Sequence, residues 1–512
     1  MSAASALVRR AASSTIGSLF AAQARLFPER VAIEDGAARV SYAALDNAVN
    51  RATHTMMRLG VRHRDRVAVL SENRTEYLVL ELACAKLGAI VACQNWRLSA
   101  QELRHCIDLA EPSLIAVSER HAGLLSRIPT GTIPTIAFGL EWERALNTAP
   151  DHAVEADIDP EDPLFILYTS GTTGLPKGAV LSHRAEIARS FVMPLDLGIR
   201  SADTILCWPP LYHMGGTEPA LCALLTGGRV IIQDRFDPAR IAEIVTRETF
   251  GWISIMPGAV DALIAALERN NAPPKGVGNC GVMPDLVAPH EIARITELLG
   301  APYCNTFGAT ETGTAPLSGN RIAPGVVPDN LAKAPSPASE IRLVDADDND
   351  IPDGDVGELA MRGPTLFSGY WRDDAATAED FRGGWFHMGD MFRRRPDGLY
   401  DYVDRRKYLI KSGGENIYPA EIERVLLGDP RVADAVVVRR KDARWGEVPI
   451  ALVVARGTIP DVGELATRCR AALAGFKQPK EIRLVSPERI ARSTTGKIQR
   501  RTLEEWVASE QG

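Results

Sequence analysis

Residues 164–183 read LFILYTSGTTGLPKGAVLSH. The first five residues form a short apolar run, typical of a buried strand, and Ser182 is placed to cap a helix that follows. The ten residues from Thr169 hold three Gly, three Thr, one Ser and one Lys. Glycines let a backbone approach an anion closely, and hydroxyl and N–H groups donate to phosphate oxygens. The stretch therefore predicts a phosphate-binding loop, with Lys177 as a point charge and a flexible surface loop as the competing interpretation. It is not a Walker A motif, because the order GxxxxGK[ST] is absent.

Around this loop, the chain alternates between short apolar runs and helical periods from residue 38 to about residue 310. Runs that predict buried strands lie at residues 66–71, 89–94, 113–118, 204–208, 229–233 and 252–256. Predicted helices lie at residues 42–59, 74–87, 99–110 and 237–248. Ser99 and Glu102 form a capping-box pattern at the start of the third. Such alternation predicts layered α/β structure with largely parallel sheets.

The pattern changes after about residue 335. Turn signals such as Asp397-Gly398 separate alternating apolar runs, which is typical of antiparallel strands. The end of the chain predicts a compact α+β unit. Its predicted elements are a helix from Pro419 to Leu427, strands at 432–439 and 449–455, a helix at 463–475 and a final helix at 500–509. The predicted fold class is α/β, with layered subdomains, a β-rich subdomain and a small C-terminal α+β domain.

The composition is that of a globular protein, since 46% of the 512 residues are hydrophobic and 24% are charged. No stretch approaches about 18 uncharged apolar residues, so we expect no transmembrane helix. The net charge of −7 argues against a general nucleic-acid binder. The charge is uneven, because residues 404–512 hold 21 Lys and Arg against 15 Asp and Glu, whereas the remaining residues hold 37 against 50.

The eight cysteines form no CxxC pair, which predicts buried, reduced thiols in a cytoplasmic protein. The histidines show no HExxH or HxxxH spacing, so we expect no zinc site. The first 28 residues contain no Asp or Glu. From about residue 16 they form an amphipathic helix pattern, so we expect a short disordered extension of about 14 residues rather than a transit peptide.

The decapeptide TSGTTGLPKG resembles the phosphate loop of the adenylate-forming superfamily, which includes acyl-CoA synthetases, peptide-synthetase adenylation domains and beetle luciferases. Further segments resemble the family's other motifs and occur in the family's order across nearly the whole chain. They are NTFGATET (305–312), GELAMRGPTLFSGYW (357–371), GWFHMGD (384–390), DRRKYLIKSGGENIYPAEIE (404–423) and STTGKIQRR (493–501). The resemblance implies an AMP-forming acyl-CoA synthetase of the fatty-acid or aromatic-acid branch.

That family's architecture implies an AMP-binding and acyl-binding domain at residues 1–403 and a mobile C-terminal domain at residues 404–512. The implied reaction has two halves. A carboxylate and ATP give an acyl-adenylate and pyrophosphate, and a thiol then converts the adenylate into a thioester and AMP. The small domain is expected to rotate between the two halves, with Lys407 as the hinge.

The resemblance also implies roles for residues at the nucleotide. The implied catalytic residues are Lys497, His213 and Glu311. The implied ATP-binding residues are Thr169, Ser170, Gly171, Thr172, Thr173, Gly174, Lys177, Thr306, Phe307, Thr310, Asp390, Arg405 and Lys497. Glu311, with Thr173, is expected to hold Mg²⁺, since hard oxygen ligands suit this ion. Asp390 is expected to bind both ribose hydroxyls and Arg405 the ribose or a phosphate.

Other residues resemble the acyl and CoA sites of the family. The implied acyl pocket consists of His213, Met214, Gly216, Gly281, Met283, Gly308 and Ala309. The implied CoA-binding residues are Gly413, Gly414 and Trp445. A packed core histidine and a packed core tryptophan are the competing interpretations of His213 and Trp445.

Three positions depart from the family pattern: Phe307 stands where Tyr is usual, Met388 where Thr is usual and Ala491 where Pro is usual. None removes a charged catalytic group, so the departures concern fine nucleotide contacts.

The segment TILCWPPLYHMGG lacks the Asp that pairs an amino group in amino-acid adenylation domains. The predicted pocket has no Lys or Arg, which disfavours a second carboxylate. We therefore expect a monocarboxylic acid with an apolar aliphatic or aromatic body as substrate, with ATP, Mg²⁺ and coenzyme A. A carrier-protein thiol as acceptor, luciferase-like oxygenation and an inactive nucleotide-binding homologue remain alternatives. Nucleic acid is not an expected partner, and the chain is expected to be a monomer or homodimer.

Overall fold

The computed structural model describes residues 8, 11–170, 175–270, 272–413, 415–492 and 498–510. The contacts divide the chain into two compact units. The larger unit comprises residues up to Asp329, Ala334–Glu340 and Arg362–Arg382. The smaller unit comprises Asn330–Lys333, Ile341–Met361 and the residues from Gly383 onward. The domain boundary between residues 403 and 404 stays a prediction.

The strands up to residue 322 are β1 (Val31–Asp35), β2 (Ala38–Ser41), β3 (Arg66–Leu70), β4 (Ile90–Cys93), β5 (Leu114–Val117), β6 (Thr135–Ala137), β7 (Pro163–Ser170), β8 (Pro176–Ser182), β9 (Thr204–Cys207), β10 (Arg229–Ile232), β11 (Thr249–Ile253), β12 (Gly276–Cys280), β13 (Tyr303–Ala309) and β14 (Gly313–Ile322). Those that follow are β15 (Glu340–Val344), β16 (Val356–Arg362), β17 (Phe386–Arg394), β18 (Tyr400–Arg405), β19 (Ile410–Ser412), β20 (Glu415–Ile417), β21 (Val432–Asp442), β22 (Gly446–Ala455) and β23 (Glu481–Leu484).

The helices with fully described bounds are α1 (Ile16–Leu26), α2 (Tyr42–Arg58), α3 (Thr75–Leu87), α4 (Ala100–Ala110), α5 (Glu119–Leu125), α6 (Leu140–Asn147), α7 (His183–Leu197), α8 (Met214–Leu225), α9 (Pro238–Arg247), α10 (Val260–Asn270), α11 (Pro289–Leu299), α12 (Asp374–Asp380), α13 (Pro419–Leu427), α14 (Val462–Ala472) and α15 (Arg500–Ser509). Among the described residues, no helix combines the length and the apolar character needed to cross a bilayer.

A six-stranded sheet of order β6-β5-β3-β4-β7-β8 presents the phosphate loop. Its strands are parallel except for β8, which returns antiparallel beside β7. Thr169 pairs with Lys177 and Ser170 with Pro176, so the loop closes a hairpin at the carboxyl end of β7. Ligands of α/β sheets bind at the carboxyl ends of such strands. Ser182 then caps α7 by accepting a hydrogen bond from the N–H of Ala185, as predicted.

An eight-stranded sheet of order β14-β13-β12-β11-β9-β10-β1-β2 presents the second predicted motif. Its inner strands are parallel, and the edge pairs β13–β14 and β1–β2 are antiparallel. The turn between β13 and β14 contains Glu311. The turn is held by the hydroxyl of Thr312, which accepts from the N–H of Ala309 at 2.9 Å. Gly313 has a φ of +72°, a conformation that favours glycine.

The smaller unit contains two further sheets. One has the order β15-β16-β17-β18, and Asp397-Gly398 lies in its β17–β18 connection, as the turn signal predicts. The other has the order β20-β19-β22-β21 with β23 paired to β22. Buried Val, Ile and Leu side chains of β21 and β22 pack against α13 and α14 on one face and α15 on the other. This is the predicted C-terminal α+β unit.

Most predicted elements are confirmed within a few residues, but the strand predicted at 252–256 is displaced. The observed strand is β11, which starts and ends three residues earlier. Gly251 interrupts the β-forming pattern, and its missing Cβ leaves room for the Asp203 carboxylate. Ile255 is fully buried although it lies outside the strand, so burial alone misled the prediction. All eight cysteines are buried and none lies in a disulfide, which confirms the predicted burial, and their reduced state stays a prediction.

The predicted N-terminal helix corresponds to α1, which buries Ile16, Phe20 and Ala24 and leaves Leu19 partly exposed. Its first turn is anchored by a buried histidine, because Nδ1 of His183 accepts a hydrogen bond from the N–H of Ile16 at 3.2 Å. Burial lowers the pKa of His183 to about 4. The imidazole is therefore neutral at neutral pH, as its acceptor role requires.

We expect His183 to make unfolding easier in acid. Unfolded histidine takes up a proton near pH 6.5, whereas folded His183 does so only near its pKa of about 4. The contribution of His183 to stability is therefore present above about pH 6.5 and is lost as the pH falls. Between about pH 7.5 and pH 5 the loss is about 2 kcal/mol. Urea unfolding of wild type and His183→Asn at both pH values tests this, because Asn keeps an acceptor without titrating. Parallel pH dependences of the two proteins would contradict the prediction.

Candidate active site

The described ends of the phosphate loop lie beside a segment that contains Tyr370. This segment runs along β8, where the N–H of Ser368 donates to the carbonyl of Val180 at 2.8 Å and Ala179 pairs with Tyr370. The side chain of Lys177 also approaches the segment that contains Tyr370. Its Nζ lies 3.6 Å from Oδ2 of Asp373 and 5.0 Å from the centre of the Tyr370 ring. The centre of the loop (Gly171, Thr172, Thr173 and Gly174) lies outside the described residues, so its phosphate and metal contacts stay predictions.

Glu311 lies in the β13–β14 turn, and both its main chain and its side chain make hydrogen bonds. Its carbonyl accepts from the N–H of Phe367 at 2.9 Å, and its Oε1 lies 3.2 Å from the hydroxyl of Tyr370. The same hydroxyl lies 3.1 Å from Oδ2 of Asp380. Burial raises the pKa of Asp380 above its usual value. Glu311, Tyr370, Asp380 and Lys177 thus form one polar cluster in the larger unit.

The other nucleotide residues predicted on β13 and its turn are also placed by hydrogen bonds. Thr306 is buried, and its hydroxyl accepts from the N–H of Met283 at 3.0 Å. Phe307 pairs with Leu317 of β14 and is partly exposed, as is Thr310.

The chemistry of this cluster fits a magnesium ion that arrives with a nucleotide. Among the described residues, no group of three or more His, Cys, Asp or Glu side chains could hold a metal. Mg²⁺ is commonly bound through one or two carboxylates together with substrate phosphates and water. A single half-buried carboxylate such as Glu311 is therefore a suitable ligand for phosphate-bound Mg²⁺.

Sequence reasoning missed Tyr370, Asp373 and Asp380 as members of this cluster. Tyr370 lies within a quoted motif, but no spacing rule connects it with Glu311. The helix α12 brings Asp380 back toward Tyr370, because the hydroxyl of Thr377 accepts from the N–H of Tyr370 at 2.9 Å. The composition of that short helix carries no signal of this arrangement.

His213 is the N-cap of α8, and its Nδ1 accepts from the N–H of Gly215 at 3.0 Å. The side chain is half-buried. The helix is fixed below it by Thr217, whose hydroxyl lies 3.0 Å from Oε1 of the buried Glu81. The N-cap contact explains the orientation of the imidazole, and its catalytic role stays a prediction.

The glycines predicted to line the acyl pocket are explained by packing within the protein. A Cβ on Gly216 would lie 2.4 Å from the carbonyl oxygen of Pro210. On Gly281 it would lie 2.2 Å from Cζ of Tyr303, and on Gly308 it would lie 2.0 Å from the carbonyl oxygen of Gly313. Glycine is therefore required at these positions with or without a substrate. Met214, Met283 and Ala309 are half-buried, and the acyl pocket stays a prediction.

In the smaller unit, Asp390 and Arg405 are paired across β17 and β18. Nε of Arg405 lies 2.9 Å from Oδ1 of Asp390, whose side chain is 1% exposed. Glu358 lies on the neighbouring strand, accepts from the N–H of Gly389 at 3.0 Å and pairs with Arg406 at 2.8 Å. The guanidinium of Arg405 thus fixes the orientation of the Asp390 carboxylate.

Gly413 and Trp445, predicted for CoA binding, are in direct contact. The N–H of Gly413 donates to the carbonyl of Trp445 at 2.8 Å, and a Cβ on Gly413 would lie 2.6 Å from Cε3 of the indole. Trp445 is 37% exposed, so it is not a packed core residue. Lys407 is exposed beside the ring of Tyr408. Gly414 and Lys497 lie outside the described residues, and the CoA and hinge roles stay predictions.

Comparison with known proteins places this geometry in a family. The model of the AMP-binding enzyme family matches residues 20–371, and that of the AMP-binding enzyme C-terminal domain matches residues 421–497. The chain belongs to the AMP-binding enzyme family.

Relatives of this AMP-binding enzyme match it over nearly its whole length. It is 35% identical to indoleacetate–CoA ligase of Aromatoleum aromaticum over 508 residues, which cover 95% of this chain and 96% of the relative. It is 33% identical to feruloyl-CoA synthase of an Amycolatopsis species, covering 94% of this chain and 97% of the relative. The structure of o-succinylbenzoate CoA synthetase from Bacillus subtilis, in complex with its acyl-adenylate intermediate, matches with a TM-score of 0.83 and 27% identity, covering 95% of this chain and 97% of that one.

These matches confirm the predicted superfamily and the α/β fold class with its C-terminal domain. They also confirm the predicted enzyme class, an ATP-dependent, AMP-forming acyl-CoA ligase. ATP and CoA are accordingly its co-substrates.

Proposed function

We propose that this AMP-binding enzyme activates an aromatic monocarboxylic acid and transfers the acyl group to coenzyme A. The observation that carries the proposal is the match over nearly the whole chain to two relatives named for aromatic monocarboxylic acids, indoleacetate and ferulate. The residues predicted for the acyl pocket include neither Lys nor Arg, so nothing among them pairs with a second carboxylate. The alternative substrate is a monocarboxylic acid with an apolar aliphatic body.

The first half-reaction forms an acyl-adenylate. A carboxylate oxygen attacks the α-phosphorus of ATP, and the bond from that phosphorus to the bridging oxygen of pyrophosphate breaks. Both reactants are anions, so negative charge must be neutralised in the transition state. Mg²⁺ supplies Lewis-acid charge neutralisation at the phosphates when bound. We assign its protein ligand to Glu311, the charge beside the carboxylate and α-phosphate to Lys497, and a phosphate contact to Lys177.

The second half-reaction forms the thioester. The sulfur of CoA attacks the acyl carbon, the tetrahedral intermediate collapses, and AMP leaves with the electrons of the broken C–O bond. We assign the binding of CoA to the surface formed by Gly413 and Trp445. We assign the ribose hydroxyls to Asp390, whose carboxylate offers two acceptor oxygens held in place by Arg405.

We further propose that residues 404–512 act as the mobile domain and that Lys407 is its hinge. Lys407 lies in the turn Arg406–Tyr408, directly after β18, with an exposed side chain. Such a position at the end of an element absorbs backbone rotation without disturbing a packed core. A cytoplasmic location and a monomeric or homodimeric state remain predictions from the sequence.

A panel of acids tests the substrate assignment. Pyrophosphate, AMP and thioester are measured for aryl monocarboxylates, ring-matched aryl dicarboxylates and straight-chain fatty acids, each with and without CoA. We expect aryl monocarboxylates to give the highest kcat/KM, with thioester formed only when CoA is present. A preference for fatty acids or dicarboxylates would overturn the aromatic monocarboxylate assignment. Pyrophosphate release with no CoA thioester would instead indicate another acceptor.

A further inference from the structure

The hydroxyl of Tyr370 lies between two carboxylates. It is 3.2 Å from Oε1 of Glu311 and 3.1 Å from Oδ2 of Asp380. A phenolic hydroxyl carries one hydrogen, whereas an ionised carboxylate is only an acceptor. Tyr370 therefore donates to one of the two carboxylates at a time, and Glu311 and Asp380 compete for the same hydrogen.

The place of this hydroxyl is fixed by contacts that do not depend on Glu311. The N–H of Tyr370 donates to the hydroxyl of Thr377 at 2.9 Å. The ring of Phe367 packs edge-on against the Tyr370 ring, with 4.9 Å between the ring centres. Nζ of Lys177 covers the ring at 5.0 Å. The hydroxyl is thus a rigid reference point against which the flexible Glu311 side chain is oriented.

The main chain of Glu311 is tied to the same segment. Its carbonyl accepts from the N–H of Phe367, three residues before Tyr370. The backbone and the carboxylate of Glu311 are therefore both fixed relative to residues 367–370. A glutamate has three rotatable side-chain bonds, and ordering them before a ligand binds removes that cost from binding.

We propose that Tyr370 is a positioning residue that orients the Glu311 carboxylate for nucleotide-bound Mg²⁺, and that Asp380 acts through Tyr370 by competing for its hydrogen. The inference rests on the role of Glu311 proposed above. Mutation of a group that orients a metal ligand typically lowers metal affinity by about tenfold to a hundredfold. The hydroxyl of Tyr370 contacts one carboxylate oxygen of a single ligand, so the lower end of that range is expected.

Binding measurements with Tyr370→Phe test the proposal without turnover. Calorimetry measures the affinity for an ATP analogue that has a methylene group between the α- and β-phosphorus, both with and without Mg²⁺. The affinity for AMP is measured without Mg²⁺. The gain in analogue affinity caused by Mg²⁺ should fall about tenfold in Tyr370→Phe, while AMP affinity is unchanged. Tyr42→Phe is the matched control, because the hydroxyl of Tyr42 donates a hydrogen bond to the carbonyl of Gly228 at 2.8 Å in the same unit. This control should bind both ligands as wild type does.

Two kinetic measurements separate positioning from a general structural effect. Tyr370→Phe should require about tenfold more Mg²⁺ for half-maximal pyrophosphate release. Its rate of thioester formation from a synthetic acyl-adenylate should be unchanged. Because Asp380 acts through Tyr370, any change in Mg²⁺ affinity caused by Asp380→Asn should disappear in the Tyr370→Phe background.

The outcomes distinguish this inference from the proposed function. If Tyr370→Phe keeps the full affinity gain from Mg²⁺, or loses AMP affinity to the same extent, the positioning role is refuted. If Asp380→Asn has the same effect with and without the Tyr370 hydroxyl, the action of Asp380 through Tyr370 is refuted. If the wild-type protein gains no analogue affinity from Mg²⁺, the role proposed for Glu311 fails.

Discussion

Replacing Lys497 with alanine is expected to abolish acyl-adenylate formation while leaving thioester formation from a synthetic acyl-adenylate largely intact. The adenylation transition state brings a carboxylate against the α-phosphate, and the ammonium group of Lys497 is assigned to the space between them. Two unit charges at about 4 Å interact by up to about 4 kcal/mol at an effective dielectric constant near 20. Loss of that interaction corresponds to about a thousandfold in rate. The thioester step starts from an acyl-adenylate, in which the bond between the carboxylate oxygen and the α-phosphorus already exists. This step therefore does not need the charge of Lys497.

Pyrophosphate release in the presence of acid and ATP measures the first half-reaction, and thioester formation from the adenylate and CoA measures the second. Lys441→Ala is the matched control, because Lys441 is an exposed lysine in the C-terminal part of the chain. It should retain both activities. Equal losses in the two half-reactions of Lys497→Ala would show that the residue serves folding or CoA binding and not adenylation.

The elements that sequence predicts best are those with local causes. Ser99 caps α4 and Glu102 returns the bond, because both partners of a capping box lie within one turn. The strands β3, β4 and β5 coincide with their apolar runs because both faces of a parallel sheet are buried. By contrast, β11 begins at Thr249 and contains Gly251, so its register depends on neighbours that are distant in sequence.

In the cluster around Glu311 too, the local features can be predicted from sequence and the contacts between distant residues cannot. The turn that contains Glu311 is evident from its motif, and so is the loop that ends at Lys177. The contact between Glu311 and Tyr370 joins residues 59 positions apart, and Lys177 approaches the same ring from a third segment. No periodicity or spacing encodes such contacts, because they arise from the packing of β8, β13 and the segment before α12.

Arg189 is a second residue whose role only the fold reveals. It lies on α7 and is 1% exposed. Its Nη1 lies 2.6 Å from Oε1 of Glu218 on α8, and its Nε donates to the carbonyl of Thr365 at 2.8 Å. Glu186, one turn earlier on α7, is also fully buried and lies 4.0 Å away. Helical periodicity normally places such charges toward solvent, so sequence gave no indication of this buried cluster.

We expect Arg189→Met to destabilise the fold by about 3–5 kcal/mol, because it leaves buried carboxylates without their cation. Arg184→Met is the matched control on the same helix. Arg184 is 34% exposed in its side chain and pairs with Glu161 at 2.7 Å, so its loss should cost less than about 1 kcal/mol. Urea unfolding of the two variants measures the difference. Similar losses in both would contradict the importance of the buried pair.

The pH dependence of this loss identifies its cause. Burial raises the pKa of Glu186 and of Glu218, and the charge of Arg189 opposes that rise in both. Without Arg189 the folded carboxyls hold their protons to higher pH, whereas in the unfolded chain they ionise near pH 4.5. The destabilisation relative to wild type should therefore grow as the pH rises above about 5, because Glu218 ionises more readily in the wild-type fold than in the variant. Glu218→Gln in the Arg189→Met background replaces a buried carboxyl with a neutral amide. It should recover stability, more at the higher pH. A loss that is independent of pH, or that the amide does not reduce, would show that Arg189 acts through packing and its bond to Thr365 instead of its charge.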